Sequence, residues 1–290
     1  MIWYVYALIA AGLVSVAAIT QKKILFKTHA MEFSANLALT NLLLSLPLFF
    51  FVDWSILSWA LGFNMLIVSI LAMTAFLYIS KAVRHMEVSA ASPLLVISPA
   101  ITATLAFIFL GEALSLQQIF GILGLIVGAY ILETKSHTSL LEPFRVFRTS
   151  KYIHYIFFAL ILYGFSSMLD RFVLTKYAVE PIQYLIMVQL FIAIGFFALI
   201  TVLHGGVADI RKSFKKTGWW IVLVSLFTIG YRWCQLQAVQ IAYVGLVIAI
   251  KRLSTLITVI VGGELFHEHQ LLRKIIASIV MLGCIALIIL

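Results

Sequence analysis

Residues 92–132 carry the sequence SPLLVISPAITATLAFIFLGEALSLQQIFGILGLIVGAYIL, in which Glu112 is the single charged side chain. The stretch contributes to two apolar runs, 88–110 and 116–132, which lie on either side of a short polar connection. A membrane-spanning helix needs about 20 predominantly apolar residues, and neither run alternates with the period of two that marks a β-strand. The stretch therefore predicts two transmembrane helices joined by a tight turn.

The same pattern extends over all 290 residues, of which 63% are hydrophobic and 11% are charged. Soluble domains carry about 25% charged residues, so this composition does not suit a water-facing surface. Apolar runs bounded by polar clusters fall at 2–20, 33–52, 58–80, 88–110, 116–132, 152–175, 181–203, 218–242, 244–265 and 271–290. The first run lacks the basic flank of a signal peptide, and we expect it to be retained. The runs predict an all-α, polytopic membrane protein with ten transmembrane helices.

The ten runs fall into two halves of five. The longest polar connection separates them, and Gly111-Glu112 ends the fourth run as Gly263-Glu264 ends the ninth. An odd number of helices per half inserts the second half upside down relative to the first, as in many secondary transporters. We expect a first five-helix repeat at 1–132, a cytoplasmic linker at 133–151 and a second five-helix repeat at 152–290.

Positive charge clusters in alternate connections. The net charge is +9, and 15 of the 20 Lys and Arg residues lie in or beside the odd-numbered connections. They are Lys22, Lys23, Lys27, Lys81, Arg84, Lys135, Arg145, Arg148, Lys151, Arg211, Lys212, Lys215, Lys216, Arg273 and Lys274. Because cytoplasmic loops are rich in Lys and Arg, we expect these connections in the cytoplasm of a plasma (inner) membrane protein, with both termini outside. This placement at membrane flanks also argues against nucleic acid as a partner.

Residues 82–132, which include the stretch quoted above, resemble an EamA domain of the drug/metabolite transporter superfamily. The second half is similar but less regular, and together the halves cover nearly the whole chain. The resemblance implies ten helices in two inverted five-helix repeats, around a central polar cavity that opens alternately to each side.

The sequence shows neither a catalytic constellation nor a nucleotide-binding motif. We therefore expect a transporter driven by a gradient or by exchange, not an enzyme, and no cofactor.

Three cations lie inside predicted helices. Lys251 and Arg252 lie about eight residues into the ninth run and Arg232 about 14 residues into the eighth, which puts all three at one depth. A Lys or Arg at the centre of a membrane helix costs about 2.5–3.5 kcal/mol and is by default functional. The three cations predict a site for an anionic group. The alternatives are a structural ion pair, or side chains that extend to the membrane interface.

Lys251 takes the place that Pro99 has in the first half, because each precedes the glycine of its Gly-Glu pair by 12 residues. This departs from the plainer EamA pattern and resembles the sugar-phosphate/phosphate translocators, in which a Lys-Arg pair on the ninth helix holds the substrate phosphate. Arg171 and Lys176, near the end of the sixth run, resemble that branch more weakly. Pro99 itself predicts a kink or local unwinding in the fourth helix, because its ring removes a backbone hydrogen bond.

Polar residues at helical spacing accompany the three cations. The candidate substrate-binding residues are Arg232, Lys251, Arg252, Tyr231, Gln235, Ser254, Asp170 and Lys176. The cations are expected to bind the acidic group of a substrate, and the neutral residues to complete its hydrogen bonds. Asp170 is a candidate counter-ion for Arg232 or Lys251 in the empty cavity. The alternative places it at the outer end of the sixth helix, beside Arg171.

Together these patterns predict a secondary transporter that moves a small anionic metabolite by alternating access across a central cavity. The alternative is a flippase or binding protein for anionic lipid head groups, which would open sideways toward the lipid. We expect the bilayer and a small metabolite as partners, and a monomer, with a dimer left open.

Gly124 and Gly128 predict close helix packing within that monomer. Glu264, His267 and His269 superficially resemble a metal site, but we expect ordinary loop residues there and no metal.

Overall fold

The computed structural model describes residues 3–25, 28–55, 57–85, 94–133, 151–258 and 271–289. The regular elements within these ranges are all helices, without a strand, so the predicted all-α fold class is confirmed. They are α1 (Trp3–Leu25), α2 (Ala30–Ser45), α3 (Trp59–His85), α4 (Ser98–Leu110), α5 (Leu116–Glu133), α6 (Lys151–Lys176), α7 (Pro181–Leu203), α8 (Val207–Thr217), α9 (Trp219–Ile241), α10 (Val244–Lys251) and α11 (Leu271–Ile289). A 3-10 helix (Leu46–Phe51) continues α2, and a helical segment at 253–258 follows α10.

Five of the described helices are long and apolar enough to cross a membrane. They are Trp3–Gln21, Ala30–Phe51, Trp59–His85, Tyr152–Lys176 and Pro181–Leu203. Large apolar side chains, among them Phe50, Phe63 and Trp59, remain exposed on the bundle surface. Such a surface is stable against lipid tails, which are as apolar as the side chains themselves. The chain is a polytopic membrane protein, while the count of ten spans stays a prediction.

The chain is unwound immediately before α4. Residues 94–95 are helical, the backbone turns at Val96 and Ile97, and α4 then begins at Ser98 with Pro99 in its first turn. Proline is well tolerated there because the first N–H groups of a helix have no intrahelical acceptor. The local unwinding predicted at Pro99 is confirmed.

A matching interruption follows α10. Arg252 caps this helix, and its N–H donates to the carbonyl of Ala249 at 3.0 Å. The N–H of Thr255 then donates to the carbonyl of Arg252 at 3.0 Å, so that the chain continues as the segment 253–258. Bonds of this i to i+3 type tighten the backbone locally relative to an α-helix. Both interruptions place a polar side chain, Ser98 or Arg252, beside apolar helices of the bundle.

Helices from the two halves pack against each other in matched pairs. α1 packs along α9 as α3 packs along α6, and α4 contacts α6 as α10 contacts α1. Likewise α3 contacts α7 as α9 contacts α2, and the pairs α2–α7, α4–α10 and α5–α11 are also in contact. The helices correspond in chain order, as α1 to α6, α2 to α7, α3 to α9, α4 to α10 and α5 to α11. When each helix is exchanged for its counterpart, these contacts stay the same. The repeat boundaries and the inverted orientation stay predictions.

Glycines permit the closest approaches between these pairs. A Cβ atom added at Gly245 of α10 would lie 2.7 Å from the Cβ atom of Ala103 in α4. One added at Gly124 of α5 would meet the Sγ atom of Cys284 in α11, and Gly128 faces the same helix. Small residues let membrane helices approach closely enough for extensive van der Waals contact. The close packing predicted at Gly124 and Gly128 is confirmed, with α11 of the same chain as the partner.

The helix α8 was not predicted from the sequence, where its residues count only as the basic connection seven. Gly206 and Gly218 flank it with φ angles of 57° and 53°, a region that glycine enters without steric cost. The helix packs on α2 and α9. The Nδ2 atom of Asn36 in α2 donates to the carbonyl of Ile210 at 3.2 Å. α8 is thereby held against α2 and α9.

Candidate substrate site

The structure brings Lys251 of α10 against α9. The Nζ atom of Lys251 donates to Oε1 of Gln235 at 2.7 Å and lies 6.0 Å from the ring centroid of Tyr231. Gln235 follows Tyr231 by about one helical turn on α9, so both face the same partner. Three of the residues predicted for the site therefore lie together, and the partner of the partly buried ammonium group is a neutral amide.

Arg232, also on α9, is paired with a carboxylate. Its Nη1 atom lies 3.3 Å from Oδ2 of Asp170 in α6, whose side chain is completely buried. The hydroxyl of Tyr184 in α7 donates to Oδ1 of the same carboxylate at 2.7 Å. Asp170 is thus the counter-ion of Arg232, one of the two roles proposed for it from the sequence. Arg171, the residue after Asp170, has a different acidic partner, Glu112.

Arg252 reaches into the first half of the chain. Its Nε and Nη2 atoms donate to Oγ of Ser98 at 2.9 and 2.5 Å. Ser98 is buried and begins α4, directly before Pro99. The sequence did not single out Ser98, although the equivalence of Pro99 and Lys251 could have placed it opposite the cation pair. The charged cluster, formed by Arg232, Lys251 and Arg252 with their partners, therefore draws on both halves.

Two further predicted residues take other positions. Ser254 is buried, and its carbonyl accepts a hydrogen bond from Oγ of Ser15 in α1 at 3.1 Å. This contact ties the segment after α10 to α1. Lys176 is exposed at the end of α6, where its Nζ atom lies 4.9 Å from the ring centroid of Phe172. The structure does not bring Lys176 to the charged cluster.

A second ionic contact joins several helix ends. The Nε atom of Arg171 lies 2.9 Å from Oε1 of Glu112, and its Nη1 atom donates to the carbonyls of Val239 and Gln240 at 2.6 and 2.7 Å. The other oxygen of Glu112 accepts the N–H of Val244 at 3.0 Å. We call these five residues the outer clasp, because the connections involved are the ones expected outside the cell. The clasp holds the ends of α4, α6 and α9 and the start of α10 together.

Two cavities lie near the helix ends and in the bundle surface. One, of about 300 Å³, is lined by Trp3, Gln118, Ile241, Ala242, Tyr243, Leu246, Ile288 and Ile289. The other is an apolar groove of about 190 Å³, lined by Leu48, Ile182, Leu185, Ile229, Gly230 and Trp233. No member of the charged cluster lines either one. The cations are instead engaged directly by protein side chains.

No metal centre is present in the part of the chain that the structure describes, since no group of three His, Cys, Asp or Glu side chains is close enough there. Glu264, His267 and His269, whose spacing superficially resembles a metal site, lie outside the described residues. The same holds for Gly263 and for most of the expected linker at 133–151.

An apolar helical bundle with charged side chains paired in its interior defines a class of protein, the multi-pass α-helical membrane proteins. Residues 1–134 match the model of the EamA-like transporter family, which supports membership of the EamA/drug-metabolite transporter superfamily. Members of this family are membrane transporters, and the recognition made from residues 82–132 is confirmed. The resemblance to sugar-phosphate/phosphate translocators at Lys251 and Arg252 has no such support.

Among solved structures, one described as "Crystal structure of protein" is similar over 99% of this chain and 96% of that chain. The TM-score is 0.68 at 13% sequence identity, which establishes a shared fold and says nothing of the substrate. No curated protein sequence matches the chain.

Proposed function

We propose that this membrane transporter carries a small anionic metabolite and works by alternating access. The observation that carries the proposal is the neutral partner of Lys251. Asp170 pairs with Arg232, whereas the ammonium group of Lys251 is hydrogen-bonded to the neutral amide of Gln235. Buried charges are stable only when they are paired and hydrogen-bonded, so a cation with a neutral partner favours an anionic ligand.

The neutral partners indicate how such a ligand would bind. A carboxylate or phosphate oxygen can replace Oε1 of Gln235 at the ammonium group of Lys251, and Oγ of Ser98 at the guanidinium of Arg252. An anionic oxygen adds Coulomb attraction to the hydrogen bond that a neutral amide or hydroxyl oxygen makes with the same cation, so this exchange favours the ligand. Because Ser98 belongs to the first half and both cations to the second, binding would alter the contact between the halves.

The outer clasp supports alternating access. It links connections from both halves on the expected outer face, through Glu112 of the first half and Arg171 of the second. While it is closed, the outer ends of α4, α6, α9 and α10 are held together. Outward opening would then require Arg171 to release Glu112 and the two carbonyl groups. The matched pairing of helices from the two halves also suits a rocking motion of one half against the other.

A second candidate function, a flippase for anionic lipids, is favoured by the apolar groove beside α9. Gly230 and Trp233, three residues apart on one face of α9, line this groove. A lipid could place its acyl chain there. This function predicts that a ligand needs an acyl chain to bind, whereas the first predicts that soluble anions suffice.

A thermal-shift screen of the purified protein tests both. We expect a phosphorylated or carboxylated metabolite to raise the melting temperature of the wild-type protein and of Lys176→Gln, but not of Lys251→Gln. Lys176→Gln is the matched control, because it removes an exposed cation away from the cluster. A shift only with acyl-bearing anions would favour the flippase. No shift with any anion, or an equal shift in Lys251→Gln, would overturn the assignment of the site.

A further inference from the structure

The helix α8 has three distinct faces. Its cations Arg211, Lys212, Lys215 and Lys216 are all exposed, and their spacing in the sequence puts them on one side of an α-helix. Ser213 and Thr217 are buried and form the side that faces the bundle. Val207 and Phe214 are exposed apolar residues, and helical periodicity places them between the buried side and the basic side. A basic face beside an apolar face is typical of helices that lie in a membrane interface.

The position of α8 agrees with this location. It runs between the end of α7 and the start of α9, and the glycines at 206 and 218 turn the chain at both ends. Trp219 and Trp220, at the start of α9, are exposed. Tryptophan is enriched at the boundary between lipid and water, so the neighbouring α8 lies at that boundary. The excess of Lys and Arg in the odd connections makes it the cytoplasmic one.

The four cations of α8 have no acidic partner in the described parts of the chain. The ion pairs found there belong to Arg171 and Arg232. Asp209, the acidic residue of α8 itself, accepts the N–H of Gly205 at 2.8 Å and so stabilises the turn before the helix. Four neighbouring positive charges repel one another, and a layer of negative charge beside them would relieve that repulsion.

We propose that the basic face of α8 binds the head groups of anionic phospholipids in the leaflet on its side of the membrane. Val207 and Phe214 would enter the acyl region next to those head groups. This inference goes beyond the proposed transport function, because α8 contributes no residue to the charged cluster. Since α8 is packed on α2 and α9, lipid bound to it stabilises the folded bundle by binding the native state alone.

The test compares melting temperatures of the full-length protein in nanodiscs of phosphatidylcholine alone and of phosphatidylcholine mixed with phosphatidylglycerol. We expect the wild-type protein to melt several degrees higher in the mixed lipid, and the difference to shrink at high salt. The variant Arg211→Gln/Lys212→Gln/Lys215→Gln/Lys216→Gln should lose the difference. The charge-conserving variant Arg211→Lys/Lys212→Arg/Lys215→Arg/Lys216→Arg is the matched control and should keep it.

A second measurement counts phospholipids that co-purify with the wild-type protein from mixed-lipid membranes, and it needs no variant. Enrichment of phosphatidylglycerol over its share in the membrane supports the proposal. The proposal is overturned if the quadruple glutamine variant keeps the wild-type preference, or if no enrichment is found. It is also overturned if glycerol phosphate alone gives the same stabilisation in phosphatidylcholine, because the site would then recognise a soluble anion.

Discussion

The guanidinium of Arg232 lies 3.3 Å from a carboxylate oxygen of Asp170, an acid with no exposed surface. The neighbouring cation Lys251 is hydrogen-bonded to the neutral Gln235. The loss of one positive charge therefore has different consequences at the two positions. Loss of the charge at Arg232 leaves the buried carboxylate of Asp170 with the hydroxyl of Tyr184 as its described partner. Loss of the charge at Lys251 leaves only the neutral amide of Gln235 without its donor.

Arg232→Gln should destabilise the ligand-free protein. Breaking a buried ion pair by removing one partner costs about 3–5 kcal/mol, because the other charge remains desolvated. The measurement is the melting temperature in detergent without added anions. The double variant Arg232→Gln/Asp170→Asn is the control and should recover most of the lost stability, though not transport. A single variant as stable as wild type would show that the pair contributes little to the fold.

Lys251→Gln should leave the melting temperature of the empty protein nearly unchanged and weaken substrate binding. Loss of one charge-assisted hydrogen bond corresponds to about 1.5–3 kcal/mol, or about ten- to 150-fold in affinity. Uptake into vesicles and ligand titrations measure the effect. A large drop in the melting temperature of the ligand-free variant would instead assign Lys251 to a structural pair and remove it from the site.

Arg171→Gln should open the outer clasp. Val244 is completely buried next to Glu112, so a cysteine placed there should react slowly with an impermeant thiol reagent in the parent protein. We expect faster labelling of Val244→Cys in the Arg171→Gln background, because the charged group that joins the helix ends is gone. Glu180→Cys, at an exposed position, is the control and should label equally in both backgrounds. Unchanged labelling at 244 would mean that the clasp does not close this side.

Gly245→Ala should separate α4 from α10. The added Cβ atom would lie 2.7 Å from the Cβ atom of Ala103, and overpacking of this kind costs about 1–3 kcal/mol. The variant should have a lower melting temperature and reduced transport, because Ser98 and Arg252 sit on the two helices that are forced apart. Gly283→Ala is the matched control, since an added Cβ atom there has no neighbour within 4 Å. Equal melting temperatures for the two variants would contradict the close contact.

The orientation can be measured in intact cells. Glu180→Cys lies in an even connection and should react with an impermeant thiol reagent, whereas Lys212→Cys in α8 should react only after the cells are permeabilised. Both side chains are exposed on the protein surface, so a difference in their labelling reports the side of the membrane and not burial within the protein. The reverse pattern would invert the orientation inferred from the basic residues and would place α8 outside.

Much of the fold follows from composition alone. The run predicted at 181–203 coincides with α7, and the run at 116–132 with α5 to within one residue. These boundaries are sharp because Pro181 begins a helix and lipid excludes polar side chains from its middle. The proximity of Lys251 to α9 could also be predicted. Lys251 and Arg232 lie at one depth on successive helices, and charged side chains at that depth face the interior of the bundle instead of lipid.

The partners of the cations were harder to predict. Tyr184 lies in an apolar run, where an aromatic residue fits either a lipid-facing or a core position. The orientation of α7 about its own axis decides that the hydroxyl of Tyr184 meets Asp170, and the sequence does not give that orientation. Ser98 depends in the same way on the unwinding before α4. The helix α8 was missed because four cations in eleven residues also suit a solvated loop, and its helical character rests on packing against α2 and α9.

The pairing of α1 with α9, and of α3 with α6, has a consequence for the biosynthesis of the chain. When the ribosome has completed α1 to α5, the helices that will cover them have not been made. Glu112 and Ser98 then lack Arg171 and Arg252, which are their partners in the complete chain. Partly assembled chains that expose such surfaces are prone to aggregation and degradation. The first half alone therefore exposes polar groups and helix surfaces that the second half covers in the complete chain.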